Sequence, residues 1–109
     1  MNFRTTRLFD KQAKKLAKKY RNLKHDLQSL IDHFDSLHPT STAIQKNLYK
    51  IRIANSNKHK GKSAGYRVYY YLHVAETVYL LTIYDKSEIE MIDEELLKDL
   101  VNDALDTTG

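Results

Sequence analysis

The sequence of 109 residues contains no cysteine. This absence excludes a disulfide framework, a thiolate zinc site and a thiol nucleophile, and it fits the reducing cytoplasm. Long hydrophobic runs are also absent, since the longest, 78–84, falls well short of the ~20 residues that a membrane helix needs. The first fifteen residues lack the apolar stretch of a secretory signal. We therefore expect a cytoplasmic protein without a membrane partner.

Carboxylates are missing from the whole middle of the chain. Segment 36–75 carries seven Lys/Arg and no acidic residue, whereas segments 1–35 and 76–109 carry net charges of +5 and −8. A basic stretch of this length favours a polyanionic partner, and nucleic acid is the first candidate. The alternative is that the basic and acidic segments neutralise each other within the fold.

Proline is scarce too, with Pro39 the single one. It lies in the polar stretch 36–42, which we interpret as a loop between a helical half and a strand-rich half. Neither half is large enough to bury a core by itself. We therefore expect residues 1–109 to form a single domain.

Apolar periodicity predicts an α+β fold. Spacings of three and four residues from Phe9 to Tyr20, and again from Leu23 to Phe34, each give a helix with one apolar face. The short link between them favours an antiparallel pair. Asn2–Thr5 is a candidate strand before these helices. After the strands, Asp93 is expected to cap a C-terminal helix.

The second half carries the strand signals. Residues 48–54 alternate between apolar and polar side chains, 66–74 are rich in tyrosine and valine, and 78–84 are nearly all apolar. Short links between them predict an antiparallel meander of three strands, the last covered on both faces.

Positive charge is concentrated around the first connection of this meander. Lys50 and Arg52 alternate on the strand before it and Arg67 opens the strand after it, so pairing of the strands brings all three to one face. Such a group binds phosphate oxygens through charge-assisted hydrogen bonds. A solvated, lysine-rich loop is the alternative for the connection itself. Within this connection, the further candidates for phosphate binding are Lys58, Lys60 and Lys62.

Aromatic residues accompany the basic ones. Tyr84 ends the last predicted strand, where it can stack on a base or transfer a proton, and nearby Lys86 can neutralise phosphate. The alternatives are core packing for Tyr84 and an ion pair with Asp85 or Glu88 for Lys86. Tyrosines of the preceding strand fall on both of its faces, and we expect one set in the core and the other available for stacking on single-stranded RNA, or else two packed layers.

Histidine offers one candidate. The cationic neighbours of His59 are expected to lower its pKa, which suits an auxiliary proton carrier. None of the five histidines has metal-ligand spacing, and no nucleotide-binding glycine loop is present. We therefore predict neither a metal site nor a cofactor.

Three segments together resemble the RelE/ParE superfamily of bacterial toxins, in particular its HigB/RelE-like branch. Segments 48–52, 60–71 and 78–88 are similar to the family strings K-I-R, G-K-x-G-G-x-R-V-I-Y-Y and Y-L-L-x-x-Y-x-K-x-E. The resemblance extends over about residues 3–105. The chain departs from the pattern at Ala64, where the family has a glycine that tolerates positive φ more easily.

The resemblance implies the toxin of a type II toxin–antitoxin pair, with a fold like that of microbial ribonucleases. Such toxins enter the A site of the 30S ribosomal subunit and cut the bound mRNA, without metal or cofactor, through attack of the ribose 2′-OH on the adjacent phosphate. A small antitoxin, expected to bind DNA, silences the toxin. These are expectations about the activity and the partners of this chain.

The chemistry implied by the resemblance assigns roles to the candidates. Arg67 is the first choice for stabilising the negative charge of the phosphorane, and Lys62 is the favoured general base. Tyr84 is the third catalytic candidate, while Arg52 and Lys86 are expected to bind flanking phosphates. Two alternatives remain: a ParE-like inhibitor of gyrase on the same fold, and an inactive relative that binds RNA.

Overall fold

The computed structural model describes residues 1–58, 65–74, 76–88 and 92–106. It confirms the α+β class, the N-terminal helices, the strand meander and the C-terminal helix. The described elements, in chain order, are β1 (Asn2–Thr5), α1 (Arg7–Lys19), α2 (Leu23–Asp32), α3 (Phe34–Leu37), a 3-10 helix (His38–Thr40), β2 (Thr42–Gln45), β3 (Leu48–Ile53), β4 (Tyr66–His73), β5 (Thr77–Asp85) and α4 (Glu94–Asp106).

The five strands form one sheet in the order β1-β5-β4-β3-β2. Antiparallel pairing of β3 with β4 and of β4 with β5 gives the predicted meander. The candidate strand at the N-terminus is confirmed as β1, which pairs parallel with β5 and forms one edge. The opposite edge is β2, which pairs antiparallel with β3. The site-bearing strands therefore lie in the middle of the sheet.

The interpretation of 36–42 as a loop is wrong. This segment contains the end of α3, the 3-10 helix and the first residue of β2. Its serine and threonine side chains satisfy nearby carbonyls, with Thr40 Oγ1 donating to Leu37 O at 2.6 Å and Ser41 Oγ to His38 O at 2.7 Å. Polar residues that resemble a loop in sequence here hold short helical turns through local hydrogen bonds.

Helix α1 is fixed at its start by Thr6. Its Oγ1 accepts the N–H of Phe9 at 3.0 Å, which caps the helix, and donates to the carbonyl of Leu81 on β5 at 2.7 Å. Further along α1, Gln12 Oε1 accepts the N–H of Ile83 at 3.0 Å and the hydroxyl of Thr82 at 2.8 Å. These bonds hold α1 against β5, next to the irregularity in the β4–β5 register.

Each face of the sheet has its own apolar core. On β4, Tyr66, Val68 and Tyr70 pack with α1, α2 and α3, and we call this side the α1 face. Tyr69 lies in the second core, which α4 covers, and we call this side the α4 face. The predicted division of the tyrosines between two faces is confirmed, but Tyr66, Tyr69 and Tyr70 are all buried. The alternative of two packed layers describes this part of the strand better than an open stacking surface.

Helix α4 begins as the sequence predicts. Asp93 Oδ1 accepts the N–H of Glu95 at 3.0 Å, and acidic residues occupy the first turn, where they favour the helix dipole. Leu97, Leu100 and Ala104 face the sheet. Within the described ranges, no helix has the length and apolar character needed to cross a bilayer.

Candidate nucleic-acid site

Arg52 and Arg67 occupy directly opposed positions on β3 and β4. Alternation along each strand places both side chains on the α4 face, because Ile51, Ile53 and Val68 belong to the core of the α1 face. The predicted convergence of these arginines on one face is therefore supported by the register. We call these two residues the arginine pair.

The two members of the arginine pair differ in exposure. Arg52 is exposed, whereas Arg67 is 4% exposed and donates from Nη1 to the Tyr66 carbonyl at 3.2 Å. Burial lowers the pKa of Arg67, and the neighbouring charge of Arg52 lowers it further. An arginine keeps its charge at neutral pH despite such a shift. The strand pair thus holds two adjacent positive charges, one of them largely removed from water, which is an arrangement suited to an anion.

Tyr84 lies on the other side of Arg67, as its partner on β5. The Tyr84 side chain is buried and its ring stacks on Tyr69 with centroids 6.2 Å apart. Its hydroxyl is buried and has no hydrogen-bond partner among the described residues. Burial raises the pKa of Tyr84, and the nearby Tyr69 hydroxyl adds to the increase. Tyr84 therefore keeps its proton at neutral pH and is a hydrogen-bond donor, packed as the core alternative expected.

Two predicted lysines lie at the margin of this site. Lys50 is half-buried and is the β3 partner of Tyr69 on the α4 face. Lys86 is exposed just beyond β5, and its N–H donates to the Gly65 carbonyl at 3.1 Å. The acids suggested as partners of Lys86 bind other lysines in the structure: Asp85 pairs with Lys58 and Glu88 with Lys19.

Lys58 is not brought to the arginine pair. Its Nζ lies 3.1 and 3.2 Å from the two carboxylate oxygens of the buried Asp85, and 5.3 Å from the centroid of the Tyr20 ring. Tyr20 belongs to the core of the α1 face, so Lys58 is engaged on that side of the sheet. Phosphate binding by Lys58 stays a prediction, and this ion pair competes with it. The predicted residues His59, Lys60 and Lys62 lie outside the described residues.

Sequence reasoning did not identify the Asp85 cluster, which we define as Asp85 with its partners Tyr20, Lys58 and Ser87. The available signal was weak: one acidic residue at the end of an otherwise apolar strand. Lys58 precedes Asp85 by 27 residues and Tyr20 precedes it by 65, so no local pattern connects them. A second cationic surface was visible as a run of lysines but received no role. It is formed by the exposed α1 residues Lys11, Lys14, Lys15 and Lys18.

A cavity of about 560 Å³ lies away from the arginine pair, between the start of α1, β5 and the end of α4. Its lining contains both Arg7 and Asp103, so its charge does not select an anion or a cation. Tyr79 of β5 lines it, five residues and ~16 Å along the strand from Tyr84. We therefore assign the candidate site to the arginine pair rather than to the cavity.

The described residues contain no group of three or more histidine, aspartate or glutamate side chains placed to hold a metal ion. The site that they do contain is a cationic one with a protonated tyrosine beside it. The chain matches no protein-family model and no curated protein.

Proposed function

We propose that this chain is the toxin of a type II toxin–antitoxin pair, a metal-independent endoribonuclease that cleaves translated mRNA in the ribosomal A site. The observation that carries the proposal is the opposition of Arg52 and Arg67 on one face of the sheet, with Tyr84 as the next partner of Arg67. The resemblance of segments 48–52, 60–71 and 78–88 to the RelE/ParE superfamily supports the same assignment.

The chemistry needs few groups. The ribose 2′-OH loses its proton to a base and attacks the adjacent phosphorus, the bond from phosphorus to the 5′ oxygen breaks, and that oxygen gains a proton. The products are a 2′,3′-cyclic phosphate and a 5′-hydroxyl. Negative charge rises on the phosphorane oxygens, and a fixed, poorly solvated arginine such as Arg67 stabilises that charge more than a solvated one does. Lys62 stays the proposed base.

The protonation state of Tyr84 fixes its role. Because its pKa is raised, the hydroxyl donates a hydrogen bond and does not act as a base at neutral pH. A donor beside Arg67 suits the leaving 5′ oxygen or a phosphorane oxygen. Arg52 and Lys86 are both exposed, which supports the role of binding the flanking phosphates that we propose for them.

The ribosome as a partner is supported by the second cationic surface. The lysines of α1 belong to the helix that packs on the α1 face, whereas the arginine pair lies on the α4 face. The two cationic surfaces therefore belong to opposite sides of the sheet. Two separate cationic surfaces fit a protein that binds structured RNA through one and its cleavable strand through the other.

Burial favours a second candidate function. Arg67 and Tyr84 are 4% and 3% exposed, so among the candidate site residues that the structure describes on this face, Arg52, Lys50 and Lys86 present the accessible charge. A relative that binds RNA or inhibits gyrase without cutting needs no accessible catalytic arginine. The test of the proposal therefore measures both mRNA cleavage and the induction of DNA damage.

The test is controlled expression in a bacterial host, with mRNA integrity read by primer extension beside an Arg67→Ala variant. We expect cuts inside translated frames that vanish in Arg67→Ala, and cleavage by the purified protein only when ribosomes hold the mRNA. Growth arrest with intact mRNA and an induced DNA-damage reporter would replace the proposal with gyrase inhibition. Intact mRNA with normal growth would identify an inactive relative.

A further inference from the structure

Asp85 is a fully buried carboxylate that the proposed chemistry does not use. Its side chain is 0% exposed and accepts hydrogen bonds from the Tyr20 hydroxyl, from Lys58 Nζ and from the Ser87 N–H at 3.1 Å. Burial alone would raise the pKa of Asp85, but these donors lower it below its ordinary value. Asp85 is therefore a buried anion with several hydrogen-bond donors. Burying a charge costs desolvation free energy, so we expect this arrangement to have a role.

The partners of Asp85 come from three separate parts of the chain. Tyr20 is the C-cap residue that follows α1, Lys58 lies in the turn after β3, and Ser87 follows β5. Tyr20 is also held by its ring, which meets the ring of Tyr66 edge-on at 5.9 Å. The carboxylate thus connects a helix end to the ends of two strands.

The Asp85 cluster lies directly behind the arginine pair. Asp85 follows Tyr84 in sequence, and its partner across β4 is Tyr66, the neighbour of Arg67. Adjacent residues in a strand point to opposite faces, so Asp85 points to the α1 face while Tyr84 points to the α4 face. Asp85 is therefore the direct neighbour of Tyr84 along β5 and lies diagonally across the β4–β5 pair from Arg67.

Other contacts also connect the strands at this end of the sheet. A Cβ added to Gly65 would lie 2.0 Å from the Ile53 carbonyl oxygen, which shows how closely β3 and the start of β4 approach. The turn after β3 is also tied to α2, where Asp26 Oδ2 accepts the Ser56 N–H at 3.0 Å. Asp85 completes these connections by joining that turn to the end of β5.

Resting on the proposed function, we propose that Asp85 is a positioning residue: through Tyr20 and Lys58 it fixes the strand ends that hold Arg67 and Tyr84 in cleavage geometry. A displacement of about 1 Å in such a site can reduce the rate by about 10²-fold. Asp85→Asn keeps the size of the side chain but removes the charge that holds Lys58. Its effect is therefore expected in the rate at saturating substrate, with little change in substrate affinity.

The experiment compares the wild type with Asp85→Asn and with Glu95→Gln, a matched control that removes the carboxylate of an exposed ion pair to Lys98 on α4. Two readouts are taken well below the melting temperature of each variant: kcat and KM for cleavage of ribosome-bound mRNA, and the NMR resonance of the Arg67 Nε–Hε group. The second readout needs no RNA. We expect Asp85→Asn to lower kcat by about 10²-fold, to change KM by less than threefold, and to shift the Arg67 resonance.

Tyr20→Phe provides a milder variant if Asp85→Asn does not fold, because it removes a single hydrogen bond and keeps the ring. We expect a several-fold loss of kcat with a smaller shift of the same Arg67 resonance. Normal kcat and an unmoved Arg67 resonance in both variants would overturn the positioning role while leaving the nuclease assignment intact. A wild-type protein that cuts no mRNA would instead overturn the nuclease assignment, and with it the positioning role, whatever the Arg67 resonance does.

Discussion

Arg52 and Arg67 are Cα partners across the β3–β4 pair, with both side chains on the α4 face. Like charges at directly opposed positions of an antiparallel pair destabilise it. A neutral residue at either position would relieve that repulsion, so the sheet carries the arginine pair at some cost in stability. Sites that bind anions are where such a cost is expected.

Replacing Arg52 with alanine should separate stability from binding. Loss of the repulsion raises the free energy of unfolding by about 0.5 kcal/mol. Loss of one phosphate contact weakens the binding of a short single-stranded RNA and reduces its salt slope by about 0.7. Urea unfolding measures the change in stability, and fluorescence titration with the RNA at several salt concentrations measures the affinity and its salt slope. Arg4→Ala, at an exposed arginine on β1, is the control and should leave the slope unchanged; an unchanged slope in Arg52→Ala would place the RNA elsewhere.

Tyr84→Phe should make the protein more stable and less active. The buried hydroxyl has no described partner, so its removal raises the free energy of unfolding by about 1 kcal/mol. Cleavage should fall by about 10²-fold if that hydroxyl donates to the reacting phosphate. Tyr66→Phe is a close match, since the Tyr66 hydroxyl is also buried without a described partner but on the α1 face. Urea unfolding and single-turnover cleavage should show equal stabilisation in both variants and lost activity in Tyr84→Phe alone.

The ion pair between Asp85 and Lys58 predicts a pH window of stability. The pKa of Asp85 is lowered in the folded protein, so its contribution is present above the unfolded value near 4 and is lost as the pH falls below it. Burial opposes the charge of Lys58, but the hydrogen bond to Asp85 and the neighbouring Tyr20 outweigh that effect and raise the pKa of Lys58, so its contribution is lost only as the pH rises above about 10. Between these limits both groups contribute fully.

Asp85→Asn tests that window. At pH 7 we expect a loss of about 3 kcal/mol in the free energy of unfolding, since the variant leaves a partly buried ammonium without its counter-charge. The difference from the wild type should stay constant from about pH 5 to 9 and shrink as the pH falls below about 4. Denaturation at pH 3, 5, 7 and 9 measures it. A difference that persists unchanged at pH 3 would mean that the charge of Asp85 is not what stabilises this region.

Gly65→Ala should distort the site from its backbone. The added Cβ would lie 2.0 Å from the Ile53 carbonyl oxygen, so the ends of β3 and β4 must separate. We expect a loss of about 2 kcal/mol in the free energy of unfolding and a marked loss of cleavage, because Arg67 lies two residues further along. Thermal unfolding and primer extension measure the two effects. A variant with wild-type melting temperature would show that the strands separate here without cost.

The sequence predicted most of the fold because the apolar residues repeat with clear periods. It missed β2, because that strand has four residues, lies at the edge of the sheet and is mostly exposed, which leaves no alternating pattern to detect. The shared face of Arg52 and Arg67 followed from strand alternation alone. Burial of Tyr84 did not, because it depends on α4 covering that face, which is a tertiary choice. The ion pair of Lys58 with Asp85 could not be predicted for the same reason, since the two residues are 27 positions apart in sequence.

Parallel pairing of β1 with β5 also sets an order of events during synthesis. The Thr6 hydroxyl binds the carbonyl of Leu81, and Thr6 is synthesised 75 residues before Leu81. β1 and α1 therefore cannot make these contacts until β5 has been synthesised. The β4–β5 hairpin is local in sequence and closes quickly once it is complete. A chain released before Thr77 lacks the strand that both receives β1 and carries Tyr84. Premature termination before β5 therefore yields neither the complete sheet nor the candidate site.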